Sequence, residues 1–271
     1  MSADSPTSLR KRLTANIAFL FPDLPFLDRI DAAKAAGFDK VECHFPYHFP
    51  VELLQQRLSR AGVEMTGLNT APGDVAAGEW GMAAAPGREA EFERDFDQAL
   101  HYARSLEARV IHVMAAVVAD GERERARATY VRNLRKAADK AEPHGIKLLL
   151  EPLNVRDKPG YLVTRSDDIA GIIEEIGAPN VKLLFDIYHV QIMEGDLTTR
   201  LRRHAPIIGH VQLAAVPSRA EPDEGEVNPG HVFEVLQEIG YDGLIGLEYK
   251  PRGDTSAGLA WIDKFIRSRS H

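Results

Sequence analysis

The sequence predicts a single α/β domain folded as a closed (β/α)8 barrel. Hydrophobic runs of strand length alternate with amphipathic stretches of helix length along the whole chain, eight such pairs can be counted, and 271 residues is about the length such a barrel needs. The stretch LLLEPLN (148–154) shows the design most plainly. Three leucines bounded by polar residues read as a strand buried on both faces, and the proline stops the ladder just past Glu151. Three later runs repeat it: VKLLFD ends in Asp186, IIGHVQ in Gln212 and GLIGLE in Glu248.

In chain order, LTANIAF (13–19) is the first strand, and PFLDRIDAAKAAG (25–37) is a helix with proline at its start and glycine at its end. FDKVECHF (38–45) and VELLQQRLSRAG (51–62) repeat the pair. VEMTGLN (63–69) opens into a long glycine-rich connection, 70–87, before the helix 88–106. ARVIHVM (108–114) precedes a charged helix over 122–142, whose basic and acidic run near 121–127 reads as a solvated face. IKLLLE (146–151) is followed by SDDIAGIIEEIG (166–177), capped by Ser166 or Asp167. VKLLFD (181–186) leads to a short helix after Gly195, IIGHVQL (207–213) to PGHVFEVLQEIG (229–240), and GLIGLEY (243–249) to a last helix over 256–267. A doubly wound open sheet is the structural alternative, but no G-x-G-x-x-G follows the first strand. No linker divides the chain, so residues 13–271 are read as one catalytic barrel and residues 1–12, MSADSPTSLRKR, as a flexible tail with no apolar core to serve as a secretory signal.

Composition narrows the function. Hydrophobic content of 44% with 27% charged residues is that of a soluble globular enzyme. No apolar run approaches the ~20 residues of a membrane-crossing helix. A formal charge of -7 argues against a broad nucleic-acid or membrane surface and for a small substrate. Cys43 is the only cysteine, which excludes an internal disulfide and a cysteine-based zinc site and fits a cytoplasmic location.

In a barrel of this kind the active site lies at the carboxyl ends of the strands. Alternation along each strand puts Gly246 beneath Glu248, Leu149 beneath Glu151, Leu184 beneath Asp186 and His210 beneath Gln212. The four polar ends then converge on one mouth. Two glutamates, an aspartate and an amide oxygen form a hard site suited to Mg2+ or Mn2+. Without a cation the three carboxylates repel and one pKa is forced up. Each acid taken singly reads equally well as a cap on the following helix; four at matching positions favour a site.

These residues resemble the hydroxypyruvate isomerase family of the xylose-isomerase-like TIM barrels, which includes the 2-oxo-tetronate isomerases. The resemblance covers residues 13–261 and rests on TANIAFLF (14–21), VECHFPY (41–47), PGDVAAGEWG (72–81), PGREAEF (86–92), EPLN (151–154), DIYHVQIMEG (186–195), GHVQLA (209–214), EGEVN (224–228) and EYKP (248–251). It implies that Glu151 and Glu248 are the acid–base pair, and that Glu151, Asp186, Gln212 and Glu248 hold the metal. It further implies an aldose–ketose type isomerase, an intramolecular oxidoreductase, that interconverts hydroxypyruvate and tartronate semialdehyde (2-hydroxy-3-oxopropanoate) through an enediolate, in glyoxylate and carbohydrate metabolism. The chain departs from the family pattern at Trp80, where arginine is common, at Met114-Ala115-Ala116, which lacks the usual glycine, and at Asp223-Glu224 before Gly225.

Around this core, His189 lies just beyond the sixth strand, where it can hydrogen-bond a substrate oxygen, and Arg219 and Lys250 are candidates for a substrate carboxylate. Glu42 and His44 point inward together, either lining the pocket or forming a satisfied core pair. His112 and His210 read as packed residues, His210 also as a partner behind the site. Asn16 is a candidate for the pocket wall, and the 70–87 connection for a lid. The leading reading is a metal-assisted isomerase of hydroxypyruvate, with a hydroxy-keto acid as its only partner apart from further copies of itself, since any barrel helix could form a homo-oligomer contact. The alternatives are a 2-oxo-tetronate isomerase, a ketose 3-epimerase and, more remotely, an abasic-site endonuclease-like phosphodiesterase.

Overall fold

The computed structural model describes residues 6–267, and eight parallel strands close into one ring. They are β1 (Leu13–Asn16), β2 (Lys40–Glu42), β3 (Glu64–Asn69), β4 (Val110–His112), β5 (Lys147–Leu150), β6 (Val181–Asp186), β7 (Ile208–Leu213) and β8 (Ile245–Leu247). Each pairs with its neighbours in sequence, and β1 pairs with β8 to shut the barrel. No helix of the described residues is long and apolar enough to cross a membrane.

The strands are short and buried on both faces because the two faces pack against different layers. Ala15, Val41, Ile111, Leu148, Leu183, Val211 and Leu247 alternate with the inward residues and are all buried against the helices. Among the helices that cover them are Val51–Ala61, Glu89–Ser105, Arg123–Ala141, Ser166–Ile176 and Pro229–Glu238. Gly62 and Gly177 end two of these at φ of 64° and 72°, the left-handed region that the turn into the next strand requires. The inward face is polar instead: Thr14, Asn16, Glu42, Thr66, His112, His210 and Gln212 are all buried there. Among them Thr14 bonds Thr66, and Asn16, His210 and Gln212 all bond Glu42, so most of these side chains find their partners in one another.

The register stacks the strand ends. Asp186 pairs with Gln212, Gln212 with Gly246, Thr14 with Gly246 and Asn16 with Glu42. Glu151 and Glu248 follow directly on β5 and β8, so all four expected oxygen donors stand at the carboxyl end of the ring.

Two expectations change. The tail expected over residues 1–12 is corrected in its second half. Pro6–Arg12 is a helix, Leu9 is buried, Arg12 donates to the carbonyls of Gly243 and Tyr241, and Arg10 pairs with Asp263. Residues 1–5 lie outside the described residues. Within the 70–87 connection the exposed residues are 74–78 and the last, Gly87. Beyond that Met82, Ala83 and Ala84 are buried, and Ala83 and Ala84 donate to the carbonyls of Met114 and Ala115, so the second half of the connection belongs to the barrel wall.

Candidate active site

The mouth of the barrel holds a cavity of about 360 Å3, lined among others by His44, Trp80, His112, Glu151, His189, Gln212, Arg219, Glu248 and Lys250. A larger cavity of about 830 Å3 lies at the opposite end, around Lys40, Glu64, Arg109 and Lys147. The convergent acids are absent from that end, and strand polarity places barrel chemistry at the first.

Three buried oxygens in the mouth region accept no hydrogen bond from the described residues: Glu151 Oε1, Asp186 Oδ2 and Gln212 Oε1. Ligand atoms of Glu151, Asp186 and His189 lie within 4.8 Å of one another. Buried oxygens left without donors cost about 1–3 kcal/mol each, and more when charged, so their convergence fits a bound cation. Asp186 satisfies both readings of a strand-end acid at once: its Oδ1 caps the helix Ile187–Met193 by accepting from the Tyr188 N–H at 2.8 Å, while its Oδ2 is left over.

Glu248 is held differently. Its Oε2 accepts from Gln212 Nε2 at 2.7 Å and Asn16 Nδ2 at 2.8 Å, with His44 Nε2 at 3.3 Å. Its Oε1 accepts from Arg219 Nη2 at 2.7 Å. Burial works against charge on Glu248, but His44 and Arg219 outweigh it and hold its pKa down to about 2. Burial, followed by the charges of Asp186 and Glu248, pushes Glu151 well above the usual carboxylate range. Asp186 is pushed up to about 7, again by burial first, with Arg219 opposing. The two glutamates are therefore driven apart in proton affinity, the arrangement that separates an acid from a base.

His189 is neutral, because burial and then Arg219 lower its pKa well below the ordinary value. Its Nδ1 faces two donors, the backbone N–H of Asn154 at 3.0 Å and Asn154 Nδ2 at 2.7 Å, so the ring proton sits on Nε2. That N–H points into the cluster, 3.6 Å from Asp186 Oδ2 and 3.9 Å from Glu151 Oε1. A protonated Nε2 donates to an oxygen and does not ligate a cation, so in this tautomer His189 stands beside the set of oxygens as a hydrogen-bond donor.

Arg219 is mostly buried and spans the mouth. Besides Glu248 it reaches Asp157 Oδ2 at 3.3 Å and Asp186 Oδ2 at 3.8 Å, between the rings of Phe19 and Tyr188. Its backbone is anchored by the Lys250 N–H, which donates to the Arg219 carbonyl at 2.7 Å. Lys250 lines the rim and is exposed. His44 lines the mouth, whereas Glu42 does not: its carboxylate turns into the space above Gly246, where a β-carbon would overlap it, and binds His210 Nε2 at 2.9 Å. The pocket role considered for Glu42 is corrected on that ground. His112, read as a packed residue, lines the mouth with its Nδ1 3.5 Å from Glu151 Oε2, and burial lowers its pKa to about 3. Asp157 and Lys158 were not singled out by the sequence; Lys158 sits over the Trp80 ring with its Nζ 3.2 Å from the centroid. Nothing local marks that pair, since the partners come from different loops.

Known proteins bear on this geometry. Residues 30–265 match the family model described as xylose isomerase-like TIM barrel. A "2-oxo-tetronate isomerase" of Cupriavidus necator is 48% identical over 94% of this chain and 98% of its own length. The "Hydroxypyruvate isomerase" of Escherichia coli is 41% identical over 94% of this chain and 99% of its own. The crystal structure of an "AP endonuclease, family 2" from Brucella melitensis superposes with a TM-score of 0.92 at 44% identity, covering 94% of this chain and 98% of that one.

Proposed function

The chain belongs to the xylose isomerase-like TIM barrel family and is an isomerase, and from that premise we propose that it interconverts the aldose and ketose forms of a short hydroxy-keto acid with a divalent cation. The observation that carries this is the convergence, in one mouth, of three donor-free oxygens, the Arg219 guanidinium and the His189 N–H. Glu151, Asp186, Gln212 and Glu248 would hold the cation, Mg2+ or Mn2+ by the hardness of their oxygens, and it would supply Lewis-acid stabilisation of charge developing on two neighbouring substrate oxygens.

The protein's own residues do the rest. The Arg219 fork binds the substrate carboxylate, and His189 donates its Nε2 proton to a substrate oxygen. Glu248, kept ionised, takes the proton from one carbon to give the enediolate, Glu151 delivers one to the adjacent carbon, and the substrate's hydroxyl proton passes to the neighbouring carbonyl oxygen, so that carbonyl and hydroxyl change places. In the reverse direction the two exchange roles. Glu151 and Glu248 are only 7% and 6% exposed, so the transfer runs shielded from water.

The sequence placed hydroxypyruvate first among substrates. The 48% identity to a 2-oxo-tetronate isomerase, against 41% to a hydroxypyruvate isomerase, favours the four-carbon acid, and the same proton shift serves both. The name carried by the Brucella protein raises phosphodiester cleavage as a second reading. Against it, one group of convergent His, Asp and Glu ligands is found among the described residues, and the net charge of -7 disfavours a nucleic-acid surface.

Turnover of both acids in D2O, with and without a chelator, tests the proposal. Deuterium entering the substrate carbon, activity abolished by chelation and activity restored by Mg2+ or Mn2+ are expected. Turnover that survives exhaustive chelation removes the cation, and cleavage of an abasic duplex in place of isomerisation moves the assignment to the nuclease.

A further inference from the structure

We propose that Glu42 is a positioning residue that fixes the orientation of the Gln212 amide and so decides which end of that amide is offered to the cation; the inference rests on the cation-assisted reading above. A terminal amide has two nearly isosteric flips, one presenting oxygen and the other NH2. Gln212 Nε2 lies 2.8 Å from Glu42 Oε1 and 2.7 Å from Glu248 Oε2, two carboxylate oxygens that accept and, when ionised, cannot donate. The reverse flip would set the amide oxygen against both anions and break two charge-assisted hydrogen bonds. With the flip fixed this way, Gln212 Oε1 is left buried and free of donors, available as a hard ligand.

Of the two carboxylates, Glu248 takes up the reaction's proton and also holds Arg219. Glu42 takes no part in the proton transfer: it lies outside the mouth and is held from three sides. His210 Nε2 is 2.9 Å from its Oε2, and Asn16 Nδ2 donates to its Oε1 at 3.2 Å. Gly246, which has no side chain, leaves the room its Oε1 occupies. The Asn16 amide is oriented independently, since its Oδ1 accepts the Ala18 backbone N–H at 3.1 Å, and its Nδ2 donates to both glutamates. Two amides thus bridge two carboxylates, and only the Gln212 amide has an oxygen left over.

The test is Mn2+ affinity, read from the EPR signal of the free ion during titration of the full chain, with folding checked by circular dichroism. Glu42→Leu removes the acceptor and should weaken Mn2+ binding roughly 10- to 100-fold, the range typical of residues that orient metal ligands. Glu42→Gln keeps an amide oxygen facing Gln212 and Asn16 and should restore affinity to within about threefold, well short of that range. Glu42→Ala, which removes the same acceptor and adds no bulk, should weaken binding in the same range and decides the matter if Glu42→Leu does not fold. Wild-type affinity in Glu42→Leu or, failing that variant, in Glu42→Ala, with binding weakened in Gln212→Leu, overturns the positioning role and leaves the cation reading intact. Wild-type affinity in Gln212→Leu overturns the cation reading itself. Equal losses in Glu42→Gln and Glu42→Leu assign the effect to charge and overturn orientation by hydrogen bonding.

Discussion

Replacing Arg219 by alanine removes the one guanidinium that faces three buried carboxylates, and its cost should depend on whether a divalent cation is bound. At an effective dielectric of 20, a pair of unit charges near 4 Å is worth about 4 kcal/mol, and breaking one side of a buried ion pair costs about 3–5 kcal/mol. Arg219 Nη2 lies 2.7 Å from Glu248 Oε1 and 3.8 Å from Asp186 Oδ2, and its side chain is 14% exposed, so the residual solvation justifies the lower end, about 3 kcal/mol. For a chain of this size that is a fall in Tm of about 6–12 °C in the presence of a chelator. Saturating Mn2+ brings its own positive charge to the same oxygens, and the fall should then shrink to less than half. Calorimetric unfolding of wild type and variant, each with chelator and with Mn2+, closes the cycle. An equal fall in both conditions would show that the guanidinium and the cation do not share the carboxylates, which refutes the electrostatic account of the mouth. The same variant should raise KM for the acid substrate roughly 10- to 100-fold, the worth of a charge-assisted hydrogen bond of about 1.5–3 kcal/mol.

Three further outcomes are expected. Glu248→Gln and Glu151→Gln should each lower kcat by about 10²–10⁴ with a far smaller change in KM, and deuterium uptake from D2O should fall in step with turnover. Mn2+ affinity should climb between pH 6 and pH 8, because Asp186 gives up its proton near about 7 and Glu151 holds its own well above the usual range, and a protonated oxygen does not ligate; equal affinities at the two ends contradict this. The same shifts make the chelated protein lose stability as pH rises from the ordinary aspartate value of 3.8 to about 7, since the folded state there binds more protons than the unfolded one. Gly81→Ala should cost several times more stability than Gly78→Ala. Both glycines have positive φ, but a β-carbon at Gly81 would lie 2.6 Å from the Met114 carbonyl oxygen, while at Gly78 it meets nothing within 4 Å. Matched unfolding midpoints for the two variants would show that the 70–87 connection is not seated on the wall as described.

The strands and the four oxygen-bearing ends are legible in the sequence because burial on both faces leaves a local mark: Leu148-Leu149-Leu150 and Leu183-Leu184-Phe185 need no partner to be recognised. Facing is legible as well, since alternation along one strand decides it. Depth is not, because it depends on what the opposite strands leave open. Glu42 and Glu248 share the inward parity, yet one carboxylate stands in the mouth and the other lies in the gap over Gly246, against His210. His112 presents the reverse case. A histidine inside Val110–His112 has the pattern of a packed residue, and only pairing with Asn69 and Leu149 lifts it to the level of Glu151. Leu9 is a lone apolar residue in a charged stretch, with no period to announce the short helix that buries it. In a closed ring each strand end is set by the stagger of all eight, so a residue's height is a property of the whole circuit. That is why one spacing, an acid two residues past an inward neighbour, yields a carboxylate that stands in the mouth just after β8 and one that lies against His210 and Gln212 on β2.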